Sequence, residues 1–310
     1  MMPVTVIGGC HMDRHLHFHA APIAGRTNPV RIVETAGGVA ANIARHMAAA
    51  GHQVGFASVH PDGDAAPLSA HLQAAGITSR LAPLAGEAPS YTALIGPDGE
   101  LVIGAAALSI YDKVTSDLLV DLLADMLQQS APQPAQGGKP QAIIMDANFP
   151  AAVLLAVVDR SAPKTRLCAA ATSLRKVDRL AGILPRLDAL VLNRAEAVRL
   201  AETLSGGNPS SEVAALAGML AGQMQTKGHV LVSDGGDLAA LATAGRVVTA
   251  MPPAIRVANA NGAGDAMAAM LFSSLLRHHP VGKDSDAAAI LAAALTAGAR
   301  FAAQSTEGLS

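Results

Sequence analysis

Tryptophan is missing from this 310-residue chain, and there are only two Tyr and five Phe. A core without large aromatic rings must be filled by alanine, leucine and valine, which favours close helix-on-sheet packing over a bulky interior. Charge is sparse too. Charged residues make up 15% of the chain and the formal net charge is −2, with no long run of either sign. That balance argues against a nucleic acid or an anionic membrane as the main partner. The two cysteines, Cys10 and Cys168, are too few for a disulfide framework and lack metal-type spacing, which fits a reducing compartment. The longest apolar stretches, such as "AAAILAAALTAGA" at 287–299, fall short of the ~20 residues a membrane span needs. Residues 3–8, "PVTVIG", are apolar but short and have no basic stretch before them. No export leader is expected, and a soluble cytoplasmic protein is the reading.

What is present is a rhythm. Short apolar runs at 3–8, 53–59, 142–146, 166–171, 188–192 and 229–233 alternate with helical patterns. The helical patterns cover 38–50, 64–75, 116–128, 150–160, 193–204, 210–225, 262–277 and 285–303. Near-continuous apolar strands between helices predict an α/β fold whose parallel sheet is covered on both faces. The length allows one large domain of this kind. Two segments break the rhythm. Residues 14–35 have no helical period, and residues 89–106 read as a hairpin across "GPDG". Together they predict a small second sheet, a lid over the larger one. The Pro-, Gln- and Gly-rich segment 128–141 reads as a surface loop.

The most informative stretch is "NANGAGDAMAAM" at 259–270. Gly262, Ala263 and Gly264 open a helix, and small residues let an anion approach the unpartnered N–H groups of a first turn. Asp265 in the same turn would repel a bare phosphate. The combination makes sense if the carboxylate takes a proton from a hydroxyl that attacks phosphorus beside an anion hole. The blander reading is a glycine turn with an acid complementing the helix dipole. No G-x-x-x-x-G-K-[ST] occurs, and "VIGGCHMD" lacks the G-x-G-x-x-G order, so a dinucleotide fold is disfavoured.

Three further places carry candidate chemistry. In "GGVAAN", Gly37 and Gly38 open an alanine-rich helix, and Asn42 offers a donor and an acceptor to a sugar hydroxyl. Asp13 follows the first strand, where α/β sheets place ligand groups; it suits a diol, or is a turn residue. In "LNRAEA", Asn193 and Glu196 are either a helix capping box or a pair organising phosphates and Mg²⁺ through water. The histidines His15, His17 and His19 share one side of a possible strand. Without a fixed carboxylate or cysteine partner they read as exposed lid residues or ordinary contacts rather than a metal site.

Taken in order, an early Gly-Gly with Asp13, then "GGVAAN", "LNRAEA", "VSDGGD" and "NGAGD" resemble the ribokinase-like (PfkB) carbohydrate and nucleoside kinases over nearly the whole chain. The resemblance implies a single domain, 1–310, with a Rossmann-like αβα sandwich and lid segments at about 14–36 and 88–112. It implies ATP and Mg²⁺, Asp265 as base, and the 262–264 backbone as anion hole. Asp13, Gly37, Gly38, Asn42, Asn148 and Lys176 would hold the substrate. Asn193, Glu196, Ser233, Asp234, Gly235, Gly236 and Asn261 would border the nucleotide, with Glu196 acting on Mg²⁺ through water.

Within the family, "IGGCHMDR", "SYTALIGPDGELVIGAAALSIYD" and "MDANFP" look most like pseudouridine kinases. Three departures stand out. Ala170 replaces an Asp in a stretch that keeps Ser173 and Lys176, Asn259 replaces another Asp, and Leu238 stands where a glycine is usual. Relatives hold a monovalent cation near the second of these, so K⁺ enters as a candidate activator. The expected reaction is phosphorylation of a ribosyl 5′-hydroxyl, pseudouridine foremost. The alternatives are a kinase of ribose, a fructose phosphate or adenosine, or a silent nucleoside-binding protein on the same fold. Tyr91, Thr92, Tyr111 and Asp112 are candidate neighbours of a nucleobase, and the lid edge is a candidate homodimer surface.

Overall fold

The computed structural model describes residues 3–61, 66–129, 142–243, 245–256, 262–277 and 284–304. The chain opens with β1 (Pro3–Ile7), β2 (His11–Phe18), β3 (Val30–Gly37), α1 (Val39–Ala49), β4 (Gln53–His60), α2 (Ala66–Ala74) and β5 (Thr78–Pro83). Then come β6 (Ser90–Ile95), β7 (Leu101–Ala107), α3 (Ser116–Gln129), β8 (Ala142–Asp146), α4 (Ala151–Arg160) and β9 (Arg166–Ala170). It closes with β10 (Ala189–Asn193), α5 (Arg194–Ser205), α6 (Val213–Gly222), β11 (His229–Ser233), β12 (Ala239–Thr243), β13 (Arg246–Ala250), α7 (Ala263–Arg277) and α8 (Asp284–Ala302).

Among the described residues, nine strands form the main sheet in the order β13-β12-β11-β10-β9-β8-β1-β4-β5. The stretch from β11 to β5 is parallel, and β12 and β13 join antiparallel at one edge. Alternation along each strand sends side chains to two cores. Ile7, Ile143, Met145, Leu190 and Leu192 face α3, α4, α5 and α6. Val4, Val6, Ile144, Ala189 and Val191 face α1, α2, α7 and α8. Both faces are therefore covered, as the apolar strands require. Alanine supplies much of the second core, through Ala40, Ala41, Ala44, Ala268, Ala269 and Ala294.

The sequence pattern missed β5, β12 and β13. Each is short, and β5 and β13 are edge strands with polar residues among the apolar ones, while β12 lies beside the edge as a five-residue run of mostly alanine. The segment 130–141, most of the loop expected at 128–141, lies outside the described residues.

A second sheet has the order β3-β2-β6-β7. It grows directly from the end of β1 and returns into α1, so it stands over the carboxyl ends of the main strands. On β2, His11, Asp13, His15 and His17 share one face, and Met12, Arg14, Leu16 and Phe18 the other. Across the latter face Leu16 pairs with Ile32 and Leu94, and Leu94 with Ile103. Ile32 and Ile103 are 49% and 59% exposed. The histidines are not uniformly exposed: His15 is buried, His17 is partly covered, and only His19 lies open. Registry explains the difference, because His15 lies mid-strand between Val33 and Ala93 while His19 lies past the strand end. No group of three or more His, Cys, Asp or Glu among the described residues could hold a metal ion.

Candidate active site

The carboxyl ends of β1 and β8 carry the first construction. Asp146 ends β8 and is fully buried. Its Oδ2 accepts from the backbone N–H of Gly9 (3.0 Å) and Ala40 (3.2 Å) and from Asn148 Nδ2 (2.8 Å). Its Oδ1 accepts from the N–H of Asn148 (2.9 Å). One carboxylate thus joins the loop after β1, the first turn of α1 and the loop after β8. Asn148 extends this network, its Oδ1 accepting from Lys176 Nζ at 2.7 Å. Lys176 also lies 5.8 Å from the centre of the Tyr111 ring. Burial lowers its pKa, as does nearby Arg179.

Tyr111 does not reach toward a ligand. It is fully buried, its hydroxyl accepts from the N–H of Cys10 (2.9 Å) and donates to the Cys10 carbonyl (2.7 Å). Asp112 is occupied by Arg179 at 2.6 Å. Tyr111, expected beside a base, instead holds the frame, while Asp112 is half-exposed in its ion pair. Tyr91 is placed differently, next to Asp13 in the β2–β6 register and only half-buried. The role of Asp146 was missed. The signal available was an acid two residues before an asparagine at a strand end, the pattern of an Asx turn.

The second construction joins α1 to α7. Gly38 is the N-terminal cap of α1 at φ 104°, a conformation that favours glycine, and an added Cβ would strike the Gly9 carbonyl. A Cβ at Gly37 would strike the Asp13 carboxylate, so the missing side chain is what lets Asp13 lie against this backbone. Asp13 Oδ1 lies 2.6 Å from His11 Nδ1. One turn into α1, Asn42 Nδ2 donates to Asp265 Oδ2 at 2.8 Å.

Asp265 lies in the first turn of α7 behind Gly262, whose φ of 86° again favours glycine and whose carbonyl accepts from the N–H of Ala266. The Phe301 ring of α8 closes on Gly262, so a Cβ there would come within 2.9 Å of it. Burial raises the Asp265 pKa to about 6; the Asn42 hydrogen bond opposes the rise, and the nearby charges of Asp146 and Asp13 add to it. The first-turn N–H groups of α7 lack intrahelical acceptors and point out of the helix end.

The third construction lies farther along the sheet. Asn193 of β10 pairs in register with Ser233 of β11. Asn193 Oδ1 accepts from the Glu196 N–H (2.9 Å) while Glu196 Oε2 accepts from the Asn193 N–H (3.0 Å), a complete capping box. Burial raises the Glu196 pKa. Asp234 meets Arg194 at 2.9 Å, and Gly235, at φ 57°, turns the chain in the open with Gly236 beside it. Asn259 and Asn261 lie outside the described residues.

Asp13, Gly37, Gly38, Asn42, Gly262 and Asp265 thus gather at one place, with Asn148 and Lys176 tied to it through Asp146. The pfkB family carbohydrate kinase model matches residues 4–308. The chain belongs to the pfkB family of carbohydrate kinases. It is a phosphotransferase with a hydroxyl group as acceptor, and kinases of this family use ATP.

Among solved structures, the chain is similar to a carbohydrate kinase from Agrobacterium tumefaciens at 25% identity, covering 96% of this chain and 90% of that one, with a TM-score of 0.76. It resembles Anopheles gambiae adenosine kinase in complex with a di(adenosine) tetraphosphate at 16% identity, covering 98% and 96%, TM-score 0.77. It also resembles a ribokinase from Cryptococcus neoformans in complex with ADP at 17% identity, covering 100% and 99%, TM-score 0.69. At those identities the last two speak for the ribokinase-like fold. A search of curated proteins finds no match. No described helix is long and apolar enough to cross a membrane.

Proposed function

We propose that this kinase transfers the γ-phosphoryl group of ATP to the 5′-hydroxyl of a ribosyl substrate, with pseudouridine the first candidate. The observation that carries the reading is Asp265 itself: a carboxylate with one hydrogen-bond donor among the described residues, its pKa raised to about 6, in the first turn of a helix that opens on glycine. Such a group is ionised at neutral pH yet basic enough to take a proton. Asp13, Asn42 and the backbone of Gly37 and Gly38 orient the sugar. Its hydroxyl proton passes to Asp265 as the oxygen bonds to the γ-phosphorus. The bond from that phosphorus to the β–γ bridging oxygen breaks, and ADP leaves. The N–H groups of residues 262–264 face the charge on the transferring group.

ADP on the Cryptococcus ribokinase supports a nucleotide site along this sheet, where Asn193, Ser233, Asp234, Gly235 and Gly236 border the strand ends. Mg²⁺ fits the donor set in a limited way. Glu196 offers one carboxylate whose second oxygen has no partner among the described residues, which suits an ion held mostly by phosphates and water. Bound there, Mg²⁺ would neutralise phosphate charge. K⁺ remains a proposal from the resemblance alone.

The second sheet would act as the lid, excluding water over the sugar. Tyr91, beside Asp13 on its inner face, is the side chain best placed to meet the base, and its hydroxyl can accept from the extra N–H of pseudouridine. The apolar row of Ile32, Leu16, Leu94 and Ile103, exposed at its two ends and half-covered between, with the β7 edge would pair two copies into a dimer, tested by sedimentation at micromolar concentration.

The test of function is ADP release with pseudouridine, uridine, adenosine, ribose and fructose 6-phosphate as acceptors. Highest kcat/KM on pseudouridine is expected. Preference for plain ribose would defeat the nucleoside reading, a result that the buried Ala170, where pseudouridine kinases carry an acid, makes worth measuring.

A further inference from the structure

Asn42 is held from both ends. Its Nδ2 donates to Asp265 Oδ2 at 2.8 Å, and its Oδ1 accepts from Arg45 Nη2 at 2.6 Å. Arg45 lies one turn farther along α1, so both side chains project from one helix face. Its other branch is also fixed, with Nη1 2.8 Å from His71 Nε2 of α2. A guanidinium only donates, so the Asn42 oxygen must face Arg45 and the amide nitrogen must face Asp265. Without Arg45 nothing in this chain of contacts decides which way the amide points. With its oxygen turned toward Asp265, the amide would repel an ionised carboxylate instead of supporting it.

We propose that Arg45 is a positioning residue for phosphoryl transfer, which through Asn42 holds Asp265 ionised and leaves its Oδ1 to receive the hydroxyl proton. This rests on the reading of Asp265 as the base. The charged and titratable groups around the pair are few. Asp146 and Asp13 face Asp265 and disfavour its ionised form, and Arg45 opposes them. Cys10, Asp265 and Asp13 face Arg45. Burial pushes the Cys10 thiol up to about 12, so it is neutral at any ordinary pH. His71 and His46 are both lowered by burial and by Arg45, His46 to about 4. Both shifts favour the neutral imidazole, the form in which His71 can accept from Arg45.

The experiment is the pH profile of kcat/KM from pH 5 to 9 for wild type and Arg45→Met, on the acceptor turned over best. The acidic limb of the wild type should fall near pH 6. In Arg45→Met it should move up by about one unit, so that activity at pH 6 drops about fivefold beyond any change at pH 9. Arg45→Lys, which keeps the charge and one donor, should return the limb part of the way. An unmoved limb, or a loss equal at every pH, would overturn the proposal, since a purely structural role predicts one of those. Should Arg45→Met fail to fold, Arg45→Lys and His71→Phe carry the test, with a smaller shift in the same direction supporting it and none overturning it. Asp265→Asn separates the two readings. If it keeps wild-type activity, the base assignment fails and the relay with it; if it is inactive while Arg45→Met keeps the wild-type limb, the relay alone fails.

Discussion

Two aspartates close enough to feel each other's charge stand in opposite circumstances. Asp146, at the end of β8, has four N–H donors on its two oxygens and no exposure. Asp265, in the first turn of α7, has one donor among the described residues, Asn42, and burial raises its pKa to about 6. Asp146 is fully buried and Asp265 partly covered, and of the two Asp146 is the one repaid in hydrogen bonds. A carboxylate whose lone pairs are filled fixes geometry; one left short of donors can take up a proton. Under the proposed function, that difference divides scaffold from chemistry.

The largest test of that separation is Asp265→Asn. Removing the base should lower kcat by about 10²- to 10⁴-fold with the fold intact. A variant retaining more than about a tenth of wild-type kcat would end the assignment. Asp146→Ala should do the reverse of a clean catalytic loss: unfolding stability should fall by about 3 kcal/mol or more, because buried N–H groups of Gly9, Ala40 and Asn148 lose their acceptor. Urea denaturation measures this, and a loss under about 1 kcal/mol would mean that water or a neighbour replaces the carboxylate.

The same comparison predicts a gain of stability. The Asp265 pKa is raised above its ordinary value of 3.8, so the native state binds the proton more tightly than the unfolded chain does. Ionised Asp265 therefore costs stability above about pH 6; the cost shrinks as pH falls through that value and is gone below about 4. Asp265→Asn should be more stable than wild type by about 1 to 3 kcal/mol at pH 7.5, with the difference vanishing near pH 4. Melting curves at the two pH values would show it. An unchanged or pH-independent difference would mean that Asp265 is better satisfied than its single donor implies.

How much of this could be read beforehand follows the range of the interactions. The α7 start was legible because its logic is local: two glycines and an acid within one helical turn mark a helix beginning. The α5 capping box was legible for the same reason. Asp146 was not, because its donors Gly9 and Ala40 come from 137 and 106 residues away and nothing in "MDANFP" shows them. Arg45 was hidden likewise. On α1 alone it is one more polar helix residue, and its meaning arrives only when α7 places Asp265 against Asn42. Tyr111 misled for a physical reason: a lone tyrosine near a lid hairpin suits ligand contact, but here its hydroxyl is used by the Cys10 backbone.

The smallest expected effect lies at the start of α5, where two readings of Glu196 survive together. Its Oε2 closes the capping box on Asn193, while Oε1 has no partner among the described residues. Glu196→Gln keeps an oxygen to accept from the Asn193 N–H and removes only the charge, so stability should change by less than about 0.5 kcal/mol. Asn193→Ala, which removes the cap itself, should cost about 1 kcal/mol. If Glu196 also acts on Mg²⁺ through water, the Mg²⁺ concentration for half-maximal activity should rise about tenfold in Glu196→Gln. An unchanged Mg²⁺ requirement would assign the residue to the helix end alone, placing it with Asp146 among the carboxylates that hold shape and leaving Asp265 as the one that is chemically unspent.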